Sequence, residues 1–527
     1  MTRSAFTYRD LDLLSKSSPS SPLRVISLID FDAFYAQCEI VRLNLPPTTP
    51  LAVQQWNAII ALNYPARNAG LKRGISVDEA KRLCPDVVLQ HVATWREGEL
   101  TWAYRPDVTE NMAKDKSALD PYRLSSRKCF KLIKKLLPPE PIQRVEKASV
   151  DEVFLDLSVQ VHGILLKKFP ELEEKSIETF LPIPTLSKPL DWGSDHVADS
   201  NQGQSTPDWD EVALSIGAGI VRQVRAEVLR IHKYTCSAGI SHNKVLAKLG
   251  AGFKKPNQQT VVRSQAIPTF LSAHRITKIR GLGGKLGQQV IDLYGSENIP
   301  DMLSISLHSL RTKLGLESGT WVYNVIRGQE TSIVTPRTAP QSMLSAKTFI
   351  PNIQNFEQAL KWLRIFAADL LGRLNELQDE YPRQPTVIAM HHHINGRFGP
   401  TRSRQTTIPM GCVIDESAFY TWTKELLRQL CEEGPSWPCA SLSVSISGFQ
   451  DLVQGNQRIT SFFSKETDKA QSEPRCMKRK RTPVSSELNE YKDGAYDCPQ
   501  CNKSITAALV LEHLDWHAAV ELQDSVS

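Results

Sequence analysis

The sequence predicts an α+β chain of several domains, and three of its stretches carry that reading. From Arg24 to Glu152, short apolar runs alternate with amphipathic stretches, as in RVISLIDFDAFYAQCEI and LAVQQWNAIIALNYPARNAG. Residues 340–450 return to the same mixture, with the amphipathic FEQALKWLRIFAADLLGRLNEL and the strand-like PTVIAMHHHI and CASLSVSISGF. Between them a helical region contains ITKIRGLGGKLGQQVIDLYG at 276–295. Such alternation is the pattern of helices packed on sheets, and 527 residues at about 150 per domain leave room for three or four.

Taken in order, residues 1–22 are Ser-rich and polar and read as disordered. The apolar run Val25–Ile29 reads as a strand ending at Asp30, and ASVDEVFLDL at 148–157 reads as a second strand carrying acids. Residues 158–210 include FLPIPTLSKPLDWGSDHVADSNQGQSTPDWD, whose Pro, Ser, Asp and Gly content marks a surface insertion. Helical spacing then runs to about Ile231, followed by the short strand TCSAGIS and a helix bearing Lys244 and Lys248. Beyond Gln454 the chain turns polar and basic, a linker before a small terminal module.

Composition narrows the function classes. No uninterrupted apolar run reaches about 18 residues, and MTRSAFTYRDLDLLSKSSPSSP lacks the apolar core of a secretory signal, so a membrane protein is not expected. The net charge of +6 permits nucleic acid as a partner without requiring it. The ten cysteines are mostly scattered singly, with one close pair at Cys498 and Cys501, which reads as a reducing compartment with one metal site.

Asp151 and Glu152 interrupt an otherwise apolar strand. Neighbouring strand residues point to opposite faces, so one of these acids would be driven into the apolar side, at a cost of several kcal/mol if unpaired. Either the pair sits at a hairpin corner with solvated acids, or a cation holds it. Asp30, at the end of another apolar strand, supplies a third acid, and the Phe31 carbonyl can add a neutral oxygen. Hard cations such as Mg²⁺ prefer such oxygen sets. Asp32 is expected to support the loop.

The motifs IDFDAFYAQCE, NYPARNAGLKRG, ASVDEVFLDL, CSAGISHNKVLAKLG and KKPNQQT, in this order, resemble the Y-family translesion DNA polymerases, most closely their eta-type members, over residues 23–450. The resemblance implies a right-handed polymerase: palm at 23–35 and 93–262, fingers at 36–92, helical thumb at 263–338 and α/β little finger at 339–452. It implies that Asp30, Asp151, Glu152 and the Phe31 carbonyl hold two Mg²⁺ ions for attack of a primer 3′-hydroxyl on a nucleotide α-phosphate. Tyr64, Arg67 and Lys255 match triphosphate contacts, Arg73 a residue over the nucleobase, and Gln54 one facing the template base. Tyr35 matches the ring beneath the sugar that leaves no room for a 2′-hydroxyl.

Gly281, Gly283, Gly284 and Lys285 in GLGGKLGQQV have the glycine-rich turn of a helix-hairpin-helix, whose backbone N–H groups can meet a DNA phosphate. Arg397, Arg402 and Arg404 in HHHINGRFGPTRSRQTTIP resemble the little-finger strand that follows the template backbone.

In the tail, Cys498, Cys501, His513 and His517 form C-x₂-C-x₁₁-H-x₃-H, a spacing that suits one structural Zn²⁺ in a ββα module at 493–527. The segment around its histidines carries acids but no lysine or arginine, which suits phosphate poorly. It resembles the ubiquitin-binding finger of eta-type polymerases, with Asp515 and Ala518 on the ubiquitin-facing side. NQRITSFF in the 453–492 linker resembles a sliding-clamp (PCNA) box, with Ile459 as plug and Phe462 and Phe463 as aromatic pair, although Asn456 stands where glutamine is usual. KRKR at 478–481 suits a nuclear import signal. The expected partners are primer–template DNA, deoxynucleoside triphosphates, the clamp and ubiquitin, with the chain a monomer in the nucleus. A catalytically inactive ubiquitin- and clamp-binding scaffold, a two-metal nuclease and a kappa-type polymerase are the competing readings.

Overall fold

The computed structural model describes residues 3–139, 142, 144–173, 176–198, 206–336, 340–378, 382–394 and 401–451, with the backbone of 495–498 and 503–506. The chain divides into two compact units, Met1–Pro340 and Gln341–Ser527.

The first unit is built on a six-stranded sheet in the order Arg144–Lys147, Glu152–Asp156, Ile26–Phe31, Cys236–Ser241, Gln259–Val262, His196–Ala198. The central strand Ile26–Phe31 runs antiparallel to both neighbours. Alternation sets its two faces: Val25, Ile29 and Phe31 join the large core under helix Trp209–His232, while Ile26 and Leu28 pack with Phe154, Ala247 and Ala251 of helix Lys244–Phe253. That helix lies very close to the sheet. A Cβ on Gly239 would stand 2.0 Å from the Ala247 carbonyl oxygen, so only glycine permits the contact.

Two expectations are corrected here. Residues 3–22 are not disordered. Thr7 and Asp10 form a reciprocal capping box on helix Tyr8–Ser15, which buries Tyr8, Leu11 and Leu14. The stretch 158–210 is not a loose surface insertion either. Its first part is helix Ser158–Lys168, with Val161 and Leu165 fully buried. Further on, Thr179 and Leu181 bond to Tyr8, Ser4 and Phe6, and His196–Ala198 adds the edge strand of the sheet. Proline-rich composition misleads because each of these segments finds its apolar partner in the other, across more than a hundred residues. Helix Phe34–Arg42 buries Ala36, Cys38 and Ile40 in the large core, where Leu51 and Val53 of strand Leu51–Gln55 join them. Strands Leu51–Gln55, Ala58–Leu62 and Val88–His91 form a small sheet whose other face, with Ala52, Ile59 and Leu62, has a core of its own.

Short helices between Ile267 and Val325 share another core, around Leu282, Val290, Leu310 and Val322. The second unit is a four-stranded antiparallel sheet in the order Ser342–Ile353, Cys439–Ser447, Val387–Ile394, Thr401–Thr407, with helices Phe356–Gln378 and Glu416–Glu432. Among the described residues no helix is long and apolar enough to cross a membrane.

Candidate active site

Strand pairing brings the separated acids together. Asp30 and Glu152 are direct cross-strand partners, and the Phe31 N–H donates to the Asp151 carbonyl at 2.9 Å. Glu152 and Asp30 thereby share the sheet face of Leu28 and Phe154, the face covered by helix Lys244–Phe253. From that helix Lys248 meets both Glu152 oxygens, at 2.5 and 2.7 Å. Asp151 stands before the strand at the hairpin tip, where Ser149 Oγ donates to Oδ1 at 2.6 Å and itself accepts from the Asp151 and Glu152 N–H groups.

Lys255 forms an ion pair with Asp30. Burial drives the Asp30 carboxyl up from 3.8 to about 6 against the pull of Lys255, and Glu152 and Asp151 add to the rise. Among the described residues no three His, Cys, Asp or Glu side chains stand together as a metal cage. The three carboxylates turn to Lys255, Ser149 and Lys248. Asp32 takes the supporting place expected of it: it is buried and accepts from Ser237 Oγ at 2.8 Å and from the Asn257 N–H at 2.9 Å, which fixes the turn after Lys255.

Tyr64 begins the short helix Tyr64–Asn68, capped by Asn63, whose side chain accepts from Ala66 and Leu51. The Tyr64 phenol is pushed up to about 12, chiefly by burial and then by Asp32, with Asp30 adding a smaller push. The Arg67 guanidinium lies 4.9 Å from the Tyr64 ring centre, and its Nε donates to the Leu62 carbonyl. Arg73 is exposed in the following loop. Gln54 is the penultimate residue of strand Leu51–Gln55 and donates to the carbonyl of Trp56, which holds a left-handed φ of 56°. His91 braces that turn: its Nε2 accepts from the Trp56 N–H at 2.9 Å, so its Nδ1–H donates to the Val92 carbonyl at 2.7 Å. Tyr35 stacks on Tyr122.

Gly281, Gly283, Gly284 and Lys285 are exposed at the start of helix Lys285–Tyr294. Gly281 has φ +92° with the Trp321 ring against it, and a Cβ on Gly287 would lie 1.8 Å from the Leu282 carbonyl oxygen, so the tight turn requires glycine at both. In the second unit the expected arginines are engaged: Arg404 pairs with Glu433 at 2.5 Å, and Arg402 donates to the Pro435 carbonyl and Ser436 Oγ. Arg397, Asn456, Ile459, Phe462, Phe463, residues 478–481, Cys501, His513, Asp515, His517 and Ala518 lie outside the described residues. In the terminal module, Ala495–Cys498 and Lys503–Thr506 pair as antiparallel strands.

Sequence reasoning missed the parts played by Ser149, Lys248, His91 and Tyr122. Ser149 had a visible signal, a serine two residues before an acid in a turn. The others depend on non-local packing.

Comparison with known proteins extends these observations. The impB/mucB/samB family pattern matches residues 29–252, and that of its C-terminal domain matches 340–461. Residues 275–329 match the DNApol eta/Rev1 HhH motif, and 494–525 the Ubiquitin-Binding Zinc Finger. N-acetyltransferase eso1 of Schizosaccharomyces pombe is 35% identical over 99% of this chain and 64% of its own length. DNA polymerase eta of Arabidopsis thaliana is 30% identical over 85% of this chain and 66% of its own length, and that of Saccharomyces cerevisiae 26% identical over 99% and 92%. The chain thus spans just under two thirds of the first two relatives and most of the third. With the two parts of one family pattern falling on its two units and a matching helix-hairpin-helix between them, the chain belongs to the impB/mucB/samB family, the Y-family DNA polymerases.

Proposed function

We propose that the chain is a template-directed DNA polymerase that performs translesion synthesis past damaged bases such as pyrimidine dimers. The six-stranded sheet serves as palm, the small sheet as fingers, the helices from Ile267 to Val325 as thumb and the second unit as little finger. One observation carries the reading: the register that sets Asp30 opposite Glu152 and bonds Phe31 to Asp151.

Asp30, pushed toward neutrality by burial and by its acidic neighbours Glu152 and Asp151, is a carboxyl whose ionised form a divalent cation would favour, and the three acids with the Phe31 carbonyl offer the oxygen donors that such a cation prefers. Asp30, Asp151, Glu152 and the Phe31 carbonyl would hold two Mg²⁺, which when bound lower the barrier to attack on the α-phosphate and stabilise the charge that develops there. The chain's own groups do the rest. Lys255, Arg67 and Tyr64 bind and orient the triphosphate as fixed donors aimed at the leaving oxygens. Arg73 and Gln54 confine the base pair, and the Tyr35 ring excludes a 2′-hydroxyl. The Gly281–Lys285 turn and Arg397, Arg402 and Arg404 hold the DNA backbone without reading sequence.

Recruitment falls to the tail. A zinc ion on Cys498, Cys501, His513 and His517 would organise the terminal finger to present Asp515 and Ala518 to ubiquitin, while Ile459, Phe462 and Phe463 engage the sliding clamp in the nucleus. The test is primer extension by the purified chain with Mg²⁺, on undamaged template and across a site-specific thymine dimer. Extension on both is expected. A complete block at the dimer alone removes the lesion-bypass reading, and no extension on either template removes the polymerase reading.

A further inference from the structure

The Tyr35 ring is backed by a buried polar network. It stacks on Tyr122 with centroids 4.2 Å apart and planes within 12°. The Tyr122 hydroxyl, fully buried, donates to Glu39 Oε1 at 2.7 Å, and the Tyr104 hydroxyl donates to the same oxygen at 2.7 Å. Glu39 Oε2 accepts from Arg42 Nε at 2.7 Å, and the Arg42 guanidinium lies 3.7 Å over the Tyr104 ring.

Glu39 itself is fully buried, one turn beyond Tyr35 on helix Phe34–Arg42. A carboxylate removed from water is costly unless its oxygens are met, and a well-packed apolar replacement is often no less stable. Its presence here therefore points to a task other than stability. Burial and the adjacent Glu39 hold both phenols well above their ordinary range, so both remain proton donors.

The far end of the network is anchored as well. Tyr104 lies on the loop Arg96–Asp115, which Arg96 closes by donating to Asp115 at 2.7 and 2.8 Å and to Asp107 at 3.0 and 3.2 Å. Two donors on one oxygen and a guanidinium on the other leave Glu39, and so the Tyr122 ring, little freedom to tilt.

We infer that Glu39 is a positioning residue for sugar selection: held by Tyr104 and Arg42, it fixes the plane of Tyr122 against which the Tyr35 ring rests. The inference depends on the reading of Tyr35 as the ring beneath the nucleotide sugar. A stacking partner that can tilt lets Tyr35 give way, and the space gained is where a 2′-hydroxyl would sit. The device therefore acts on the choice between deoxyribose and ribose and not on the reacting phosphate.

The experiment is single-nucleotide insertion by the full chain with Mg²⁺, comparing kcat/KM for a dNTP and its matching rNTP. Tyr104→Phe removes one hydroxyl at a half-buried position and is expected to leave dNTP insertion within about two-fold while the preference for dNTP falls on the order of ten-fold, the scale of one hydrogen bond to a charged group. Tyr122→Phe, which keeps the stacked ring, and Glu39→Gln are expected to lower the preference at least as far. Equal losses for dNTP and rNTP in all three variants, with the preference unchanged, overturn the inference. Tyr35→Ala separates the two readings. If it leaves the preference intact, the assignment of Tyr35 has failed; if it abolishes the preference while Tyr104→Phe and Glu39→Gln do not alter it, the inference about Glu39 has failed.

Discussion

The two units handle charge in opposite ways. In the first, strand register sets Asp30 opposite Glu152 with Asp151 at the adjoining hairpin tip, and the Asp30 side chain retains only 17% exposure. In the second, the strand Thr401–Thr407 carries Arg404 at the surface, where the Arg404 and Glu433 side chains are 47% and 36% exposed. Asp30 and Glu152 are partly shut off from water and are met by Lys255 from a fixed turn and Lys248 from a packed helix, while Asp151 at the hairpin tip is met by Ser149. The exposed Arg404–Glu433 pair is exchangeable and contributes little to stability. Burial and register thus build the acidic site, whereas the Arg404–Glu433 pair lies open to solvent and is free to change partner.

The sharpest way to break the comparison is to remove the acids. Asp30→Ala, or Asp151→Ala with Glu152→Ala, is expected to lower primer extension by about a thousand-fold or more, the scale of lost metal-assisted charge stabilisation, with far-UV circular dichroism unchanged. Retained extension would take these acids out of the mechanism.

Next in size is stability. Asp30 has its carboxyl raised from 3.8 to about 6, so its ionised form is a cost to the folded chain that is absent below 3.8 and complete above about 6. Asp30→Asn should therefore stabilise the Mg²⁺-free protein by on the order of 1–2 kcal/mol at pH 7 to 8, less than the shift alone implies because Lys255 loses its partner. The gain should shrink as pH falls from 6 to 4, and thermal melts across that range read it directly. A variant less stable than wild type at pH 8 would show that the ion pair with Lys255 outweighs desolvation.

The smallest effects are expected in the second unit. Arg404→Ala should change stability by no more than about 0.5 kcal/mol and lower the slope of log affinity for DNA against log salt by about one. Glu433→Ala, which frees Arg404, should tighten DNA binding a few-fold at low salt. If neither variant moves the salt dependence, Arg404 is a local structural pair and the DNA follows other groups.

Legibility in the sequence tracked the range of the interactions involved. The two acid-bearing strands were readable because apolar periodicity is local, and Asp30 and Glu152 appear as acids at strand boundaries. The Tyr64 and Arg67 segment was readable because one N-cap and one proline fix it. Helix Tyr8–Ser15 was misread although its Thr7–Asp10 box was visible, since its apolar face is covered by segments more than 150 residues away. For the same reason the stretch after Lys168 looked like solvent-exposed chain. In fact Asp195, almost fully buried, accepts from Arg222 and Gln259 and ties the segment to the sheet.

By itself the sequence determined which chemical groups are present and which stretches alternate as strands or recur as helices, because these follow from steric preferences within a few residues. Tertiary structure alone decided which groups meet. Lys255 reaches Asp30 across 225 residues, Lys248 reaches Glu152 across 96, and Tyr122 reaches Glu39 across 83. A one-residue slip of the central strand would turn Asp30 to the opposite face of the sheet. Only the packing of both faces, with the Gly239 contact drawing helix Lys244–Phe253 onto one of them, rules that slip out.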